Sequence, residues 1–207
     1  MATVISPPEE RILLHDVTWE TYEQLLANYE DRSSPRFNYD RGVLEIMSPS
    51  SEHEEINDVF KLLVNALAEE WGVEARGFGS TTFRREDLSK GFEPDSCFYI
   101  QNVGSIRGVR RLDLAVHPPP DLVVEIDVTH PSLDKFPVYA AAGVPEVWRY
   151  DGRALKILRL EGGGYAEAHE SAALPRLTNE VLARFIEESR TMSRLEWLRR
   201  VRTWARA

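Results

Sequence analysis

The stretch PDLVVEIDV, residues 120–128, constrains the fold of this chain more than any other. In an extended strand, successive side chains point to opposite faces. Leu122, Val124, Ile126 and Val128 then share one face, which belongs in a core. Asp121, Val123, Glu125 and Asp127 share the other, so Glu125 and Asp127 stand close together on a segment that reads as largely buried. Carboxylates in such a place are normally paired, hydrogen-bonded or bound to a metal. Any fold for this chain must bring such partners to this strand.

The flanking segments supply helices and further strands. TWETYEQLLANY (18–29) opens on a capping threonine and reads as a helix. RFNYDRGVLEIM (36–47) reads as a hairpin turning at Asp40-Arg41-Gly42. The longest helix is expected in SPSSEHEEINDVFKLLVNALAEEWG (48–72), with a stripe of Ile56, Phe60, Leu63 and Leu67 and a stop at Gly72. Strands are expected near 75–84 and 94–100, and a loop from 101 to 119. After the 121–128 strand, Pro137 fits the first turn of a short helix if Asp134 is its N-cap, and Gly143 ends it. VWRYD and LKILRL pair around Asp151-Gly152, a further strand follows near 164–170, and two helices close the chain at about 178–189 and 193–206. The class is α/β (α+β), one mixed β-sheet flanked by helices. The expected organisation is a single domain over 1–207, with an N-terminal helix and hairpin and a C-terminal helical extension from about 175.

Charge narrows the function classes. A net charge of −9 argues against a protein that coats nucleic acid. The exception is the tail from Ser189, with six arginines against Glu196, and a second basic knot, SIRGVRR, at 105–111. Both read first as solvated surface. The single Cys97 excludes an intrachain disulfide framework and suits a reducing compartment. No apolar run is long enough to cross a membrane. The N-terminus lacks a signal-peptide pattern, so a cytoplasmic location is expected.

Candidate chemistry rests on carboxylates. There is no Cys/His cluster for zinc, no glycine-rich phosphate loop and no nucleophile elbow. Asp95 follows Pro94 at the entrance of the apolar strand CFYI, where a turn-capping role is the plain alternative. Glu125 and Asp127 read equally as a salt-bridged pair, Lys135 as a surface lysine, His53 as a satisfied helix-start residue, and Glu45 as an outward-facing strand residue. Their order along the chain changes the weighting. Acids on adjacent strands form an oxygen-donor set suited to Mg²⁺ or Mn²⁺, and a lysine follows soon after. A metal of this kind acidifies water and clamps a phosphoryl oxygen, while a lysine stabilises charge developing on phosphorus.

The stretches LEIMSPSSEHEEI (44–56), EPDSCFYIQN (93–102) and PPPDLVVEIDVTHPSLDKFPVYAAAGVPEVWRYDG (118–152) resemble the PD-(D/E)XK nuclease superfamily, and within it the Uma-two family of restriction endonucleases. The resemblance covers most of residues 36–160. It implies a restriction-endonuclease-like core, with Asp95 as the PD aspartate and Glu125 as the acid of the (D/E)XK element. The sequence departs from that element, since Asp127 stands where its lysine should be. The resemblance implies that the following helix supplies the cation instead, as Lys135, one turn before Tyr139. An acid of the long first helix is also implied, leaving Glu52, Glu54 and Glu55 open. His53 joins the candidate catalytic set, because helical spacing turns Glu52 and His53 toward the core.

The expectation is a divalent-metal-dependent DNA endonuclease. Asp95 and Glu125, helped by Asp127, would hold Mg²⁺ or Mn²⁺, water would attack phosphorus, and Lys135 would position the water or stabilise charge. Asp121 is expected to cap the strand entry. Two other readings are a non-catalytic module that keeps the nuclease fold for binding, and a metal-dependent hydrolase of another phosphate ester. A homodimer is expected, with Trp197, Leu198 and Trp204 as candidate contacts.

Overall fold

The computed structural model describes residues 10–30, 32–127 and 133–207. The first strand, β1 (Glu10–Leu14), was not foreseen from the sequence. Thr18 accepts the Thr21 N–H and opens helix α1 (Trp19–Asn28). Strands β2 (Arg36–Asp40) and β3 (Val43–Ser48) form the expected hairpin. Its two turn residues, Arg41 at φ 45° and Gly42 at φ 92°, adopt the positive φ pair that a tight hairpin needs. Ser50 then caps α2 (Ser51–Trp71), and Gly72, left-handed at φ 63°, ends it. The region expected as one strand at 75–84 divides into β4 (Arg76–Gly77) and β5 (Phe83–Arg85), followed by β6 (Lys90–Phe92) and β7 (Ser96–Tyr99).

The opening stretch forms β8 (Leu122–Ile126). The turn expected after Val128 lies outside the described residues. Helix α3 (Phe136–Ala142) starts one residue later than an Asp134 cap predicts, although the Asp134 carboxylate still accepts the Phe136 N–H at 3.1 Å. The chain continues through β9 (Glu146–Tyr150), β10 (Leu155–Glu161) and β11 (Gly164–Ala168), and ends in α4 (Asn179–Thr191) and α5 (Arg194–Arg206).

These strands make two sheets, where one layer was expected. An antiparallel sheet runs β1-β3-β2-β6-β5, and a mixed sheet runs β11-β10-β9-β8-β7-β4, with β8 and β9 its parallel pair. The chain divides this way because β4 and β5, adjacent in sequence, pair with different partners, β7 and β6. Strand β8 is central and covered on both faces, which explains why it is apolar at every position but Glu125. Leu122, Val124 and Ile126 pack with α2, α4 and α5, around Phe60, Leu63, Trp148, Phe185 and Trp197. Val123 packs on the other side with Phe83, Phe92, Val138 and Tyr139. Glu125 shares that second face, between the sheets and beneath α3.

The terminal helices differ from expectation in two respects. Trp197, offered as an exposed dimer contact, is 1% exposed, and its indole N–H donates to the Phe185 carbonyl at 2.8 Å. Leu198 and Trp204 pack against the same core. The arginines of the tail are largely spent within the fold. Arg194 pairs with Asp58 at 2.5 Å, Arg202 with Glu69 and Glu70 at 2.7 and 2.9 Å, Arg206 with Glu70 at 2.6 Å, and Arg200 with Glu188 at 3.0 Å. Such surface pairs each contribute ~0–1 kcal/mol. Their larger effect is to cancel the positive field of the tail against acidic α2.

Candidate active site

Four elements deliver polar side chains to the buried face of β8. Strand β7 begins directly after Asp95, which is 1% exposed. Its Oδ2 accepts the backbone N–H of Ile126 at 2.7 Å, tying the Pro-Asp turn to the residue beside Glu125. Its Oδ1 receives Arg36 Nη1 from β2 and lies 3.0 Å from His53 Nε2 in the first turn of α2. Glu125, 3% exposed, meets Lys135 Nζ at 2.5 Å through Oε2, and its Oε1 accepts the Tyr139 hydroxyl. Helix α3 makes this possible by placing Lys135 and Tyr139 one turn apart over β8.

Burial sets the electrostatics. It would raise the pKa of Asp95, but His53, Lys135 and Arg36 outweigh it and hold the carboxyl well below the usual carboxylate range. Burial would lower His53, but the Asp95 and Glu54 carboxylates push it up to about 9, so the ring is an imidazolium at neutral pH. Glu125 is pushed up to about 7 by burial and by repulsion from Asp95 and Asp127, against the pull of Lys135. Despite its own burial, Lys135 is held above its ordinary value by Glu125, Asp95 and Glu45. The lysine is therefore a fixed cation, while the charged form of Glu125 is only weakly favoured near neutral pH.

The remaining candidates divide. Asp127 turns toward arginines, with Oδ2 accepting Arg149 Nε at 2.8 Å and Oδ1 lying 3.9 Å from Arg11 Nη2. Asp121 caps the end of β7, accepting the N–H groups of Ile100 and Asn102 at 2.7 and 2.9 Å. Among the helix acids, Glu54 reaches the cluster through Arg36 Nη2 at 2.5 Å, whereas Glu52 and Glu55 are exposed. Glu45, expected to face outward, is fully buried. It accepts Asn38 Nδ2 at 3.0 Å and the Leu133 N–H at 3.3 Å, so it anchors the chain just ahead of Lys135. Sequence reasoning missed both Arg36 and Glu45. The signal available was the alternation of Arg36 and Asn38 with Phe37 and Tyr39, which marks a polar face but does not say what covers it.

Among the described residues, no group of three His, Cys, Asp or Glu side chains is placed to hold a metal ion. Mg²⁺ asks for less, because it is commonly held by one or two carboxylates and keeps several waters. Asp95 and Glu125 meet that requirement as hard oxygen donors on adjoining chain segments. Burial first, and then repulsion from Asp95 and Asp127, raise Glu125, and a divalent cation relieves both. Asp95 and Glu125 are the pair that could hold such an ion, each oxygen sharing it with a present partner, and Asp127, which meets Arg149 and lies 3.9 Å from Arg11, stands at the edge of that set.

Comparison with known proteins adds two findings. A family model, Uma2, described as "Putative restriction endonuclease", matches residues 19–187. The structure is similar to a crystal structure titled "a putative nuclease belonging to DUF820", from Anabaena variabilis. The two share 15% sequence identity at a TM-score of 0.51, over 75% of this chain and 93% of that one. At this identity the likeness is one of fold. No curated protein matches the sequence.

Proposed function

The chain belongs to the Uma2 family, whose model matches residues 19–187, and from that premise we propose that it is a divalent-metal-dependent endonuclease hydrolysing DNA phosphodiester bonds at the Asp95–Glu125–Lys135 cluster. The observation that carries the reading is the 2.5 Å contact between Lys135 and Glu125, ten residues apart, beside an Asp95 bonded to the next residue of the same strand. Two acids and one lysine at a sheet centre are the donor set that phosphodiester hydrolysis needs.

Asp95 and Glu125 are the residues that would hold the ion. When bound, it supplies acidification of water and withdrawal of charge from a phosphoryl oxygen. Tyr139 and Lys135 fix the two oxygens of Glu125 and so limit its rotation. His53 and Arg36 keep Asp95 ionised, and Arg36 joins it to Glu54. The Lys135 ammonium supplies a cation to the charge that grows on phosphorus in the transition state.

The non-catalytic reading draws on one observation, that Asp95 and Asp127 are already engaged by Arg36 and Arg149. Incubation of end-labelled duplex and single-stranded DNA with Mg²⁺ or Mn²⁺ separates the two. Strand cleavage by wild type, lost in Glu125→Gln, supports the nuclease. DNA binding without cleavage under either metal supports the module. A homodimer remains part of the proposal, without the tryptophan contacts first assigned to it, and sedimentation as a monomer at micromolar concentration would remove it.

A further inference from the structure

Of the two basic segments in the sequence, the C-terminal tail has four of its six arginines in ion pairs among the described residues, three with α2 and one with α4, whereas the SIRGVRR knot has one of three. Arg107 pairs with Glu74 at 2.7 Å, but Arg110 and Arg111 are exposed and make no ion pair among the described residues. Both line a cleft of about 900 Å³ between α1, β5 and the 101–119 loop. Glu93 and Phe37 also line this cleft, Glu93 two residues before Asp95 and Phe37 next to Arg36, whose guanidinium bonds Asp95. The cleft thus adjoins the catalytic cluster.

The lining indicates what enters. Tyr29 and Phe78 are half-buried rings of its wall. The Arg32 guanidinium lies 5.1 Å from the centre of the Tyr29 ring, a flat cationic surface of the kind on which bases stack. Four arginines line the cleft, and so do four acids, Glu23, Glu30, Glu93 and Asp113. A groove tracking a duplex backbone carries an excess of positive charge. A balanced lining with aromatic walls instead suits one base, which offers donors, acceptors and a π-face, with its own phosphate at the arginines of the rim.

We infer that this cleft takes an unpaired nucleotide of the DNA strand next to the scissile phosphate, its base against the Tyr29 and Phe78 walls and its phosphate on Arg110 and Arg111. The inference rests on the nuclease reading for the position of the scissile phosphate. It makes the substrate class DNA with an unpaired segment, such as a tail, flap or gap, over blunt duplex.

Fluorescence anisotropy in EDTA tests it, using a hairpin with a short single-stranded tail and the same hairpin blunt-ended. Wild type should bind the tailed hairpin about tenfold more tightly, the scale of one base stacked on an aromatic surface. The double variant Arg110→Ala, Arg111→Ala should lose that preference and lower the salt slope on tailed DNA by about 0.7, the share of the one single-strand phosphate that the two arginines hold. Both arginines are exposed, so the fold should be retained, with a circular dichroism melt as the check. A fluorescent adenine analogue in the tail should be quenched by wild type. Equal affinity for the two hairpins, an unchanged double variant, or a free deoxynucleoside monophosphate competing as well as the tail would overturn the inference. Because no divalent ion is present, the readout is separate from catalysis. Tail preference in a protein that never cleaves keeps the cleft and removes the nuclease reading; cleavage with equal affinities does the reverse.

Discussion

Replacing Lys135 with methionine should destabilise the fold, contrary to its reading from the sequence as a surface lysine. Lys135 is 5% exposed and its ammonium is 2.5 Å from Glu125. At that separation an effective dielectric of about 20 gives a gross attraction of ~7 kcal/mol. Desolvation of both charges offsets much of it, and breaking a buried pair from one side costs ~3–5 kcal/mol. Methionine keeps the apolar stem, so packing changes little. The penalty should depend on pH with a definite sign. Burial already pushes Glu125 up to about 7 from its ordinary 4.5, against the pull of Lys135, so loss of the lysine raises it further. A carboxyl raised in the folded state costs stability above its folded pKa, and the cost fades as pH falls toward the unfolded value. Urea unfolding followed by tryptophan fluorescence should therefore show Lys135→Met ~3–5 kcal/mol less stable at pH 8 and closer to wild type at pH 5. Adding Glu125→Gln should recover part of the loss, so the double variant falls well short of the sum. A variant as stable as wild type at pH 8, or a penalty flat in pH, would refute this account of the pair.

Two further changes test the surroundings. Glu93 is pushed up to about 7 by burial, so Glu93→Gln should stabilise the protein at pH 8 by on the order of 3 kcal/mol, with the gain vanishing near pH 4.5 in denaturant titrations at several pH values. At Gly91, an added Cβ would overlap the hydroxyl of Tyr22, which is 0% exposed and stacked on Tyr39 at 4.9 Å. Gly91→Ala should then cost at least ~1–3 kcal/mol in urea unfolding, and a neutral result would mean that Tyr22 can withdraw.

Local patterns were legible where one element carried its own signal. The cap Thr18, the Arg41-Gly42 turn, the left-handed Gly72 and Gly143, and the apolar β8 all show in a few consecutive residues. The division into two sheets was not legible, because it depends on which distant strands β4 and β5 choose. Strand β6 is three residues long and β1 alternates exposed and half-buried positions, so neither carries a strong apolar signal. Within the site, Asp95, Glu125 and Lys135 lie on short motifs and could be singled out. Arg36 and Glu45 could not, because what surrounds them comes from distant segments: Asp95 and Glu54 for Arg36, and Arg11 and the Leu133 N–H for Glu45. Trp197 was misplaced for a related reason. A helical tryptophan reads as exposed until the helix that covers it, here α2, is known.

The central claim is that Asp95, Glu125 and Lys135 form one site at which water hydrolyses a DNA phosphodiester. Single-turnover cleavage of plasmid DNA with Mn²⁺ in water enriched in heavy oxygen tests it most directly, comparing wild type with Asp95→Asn, Glu125→Gln and Lys135→Met at a pH where each is shown to be folded. The account predicts product whose terminal phosphate carries the heavy isotope, loss of cleavage in EDTA, and rates at least ~100-fold lower in all three variants. Cleavage that survives these substitutions, a product without the label, or no cleavage by wild type with either Mg²⁺ or Mn²⁺ would contradict it.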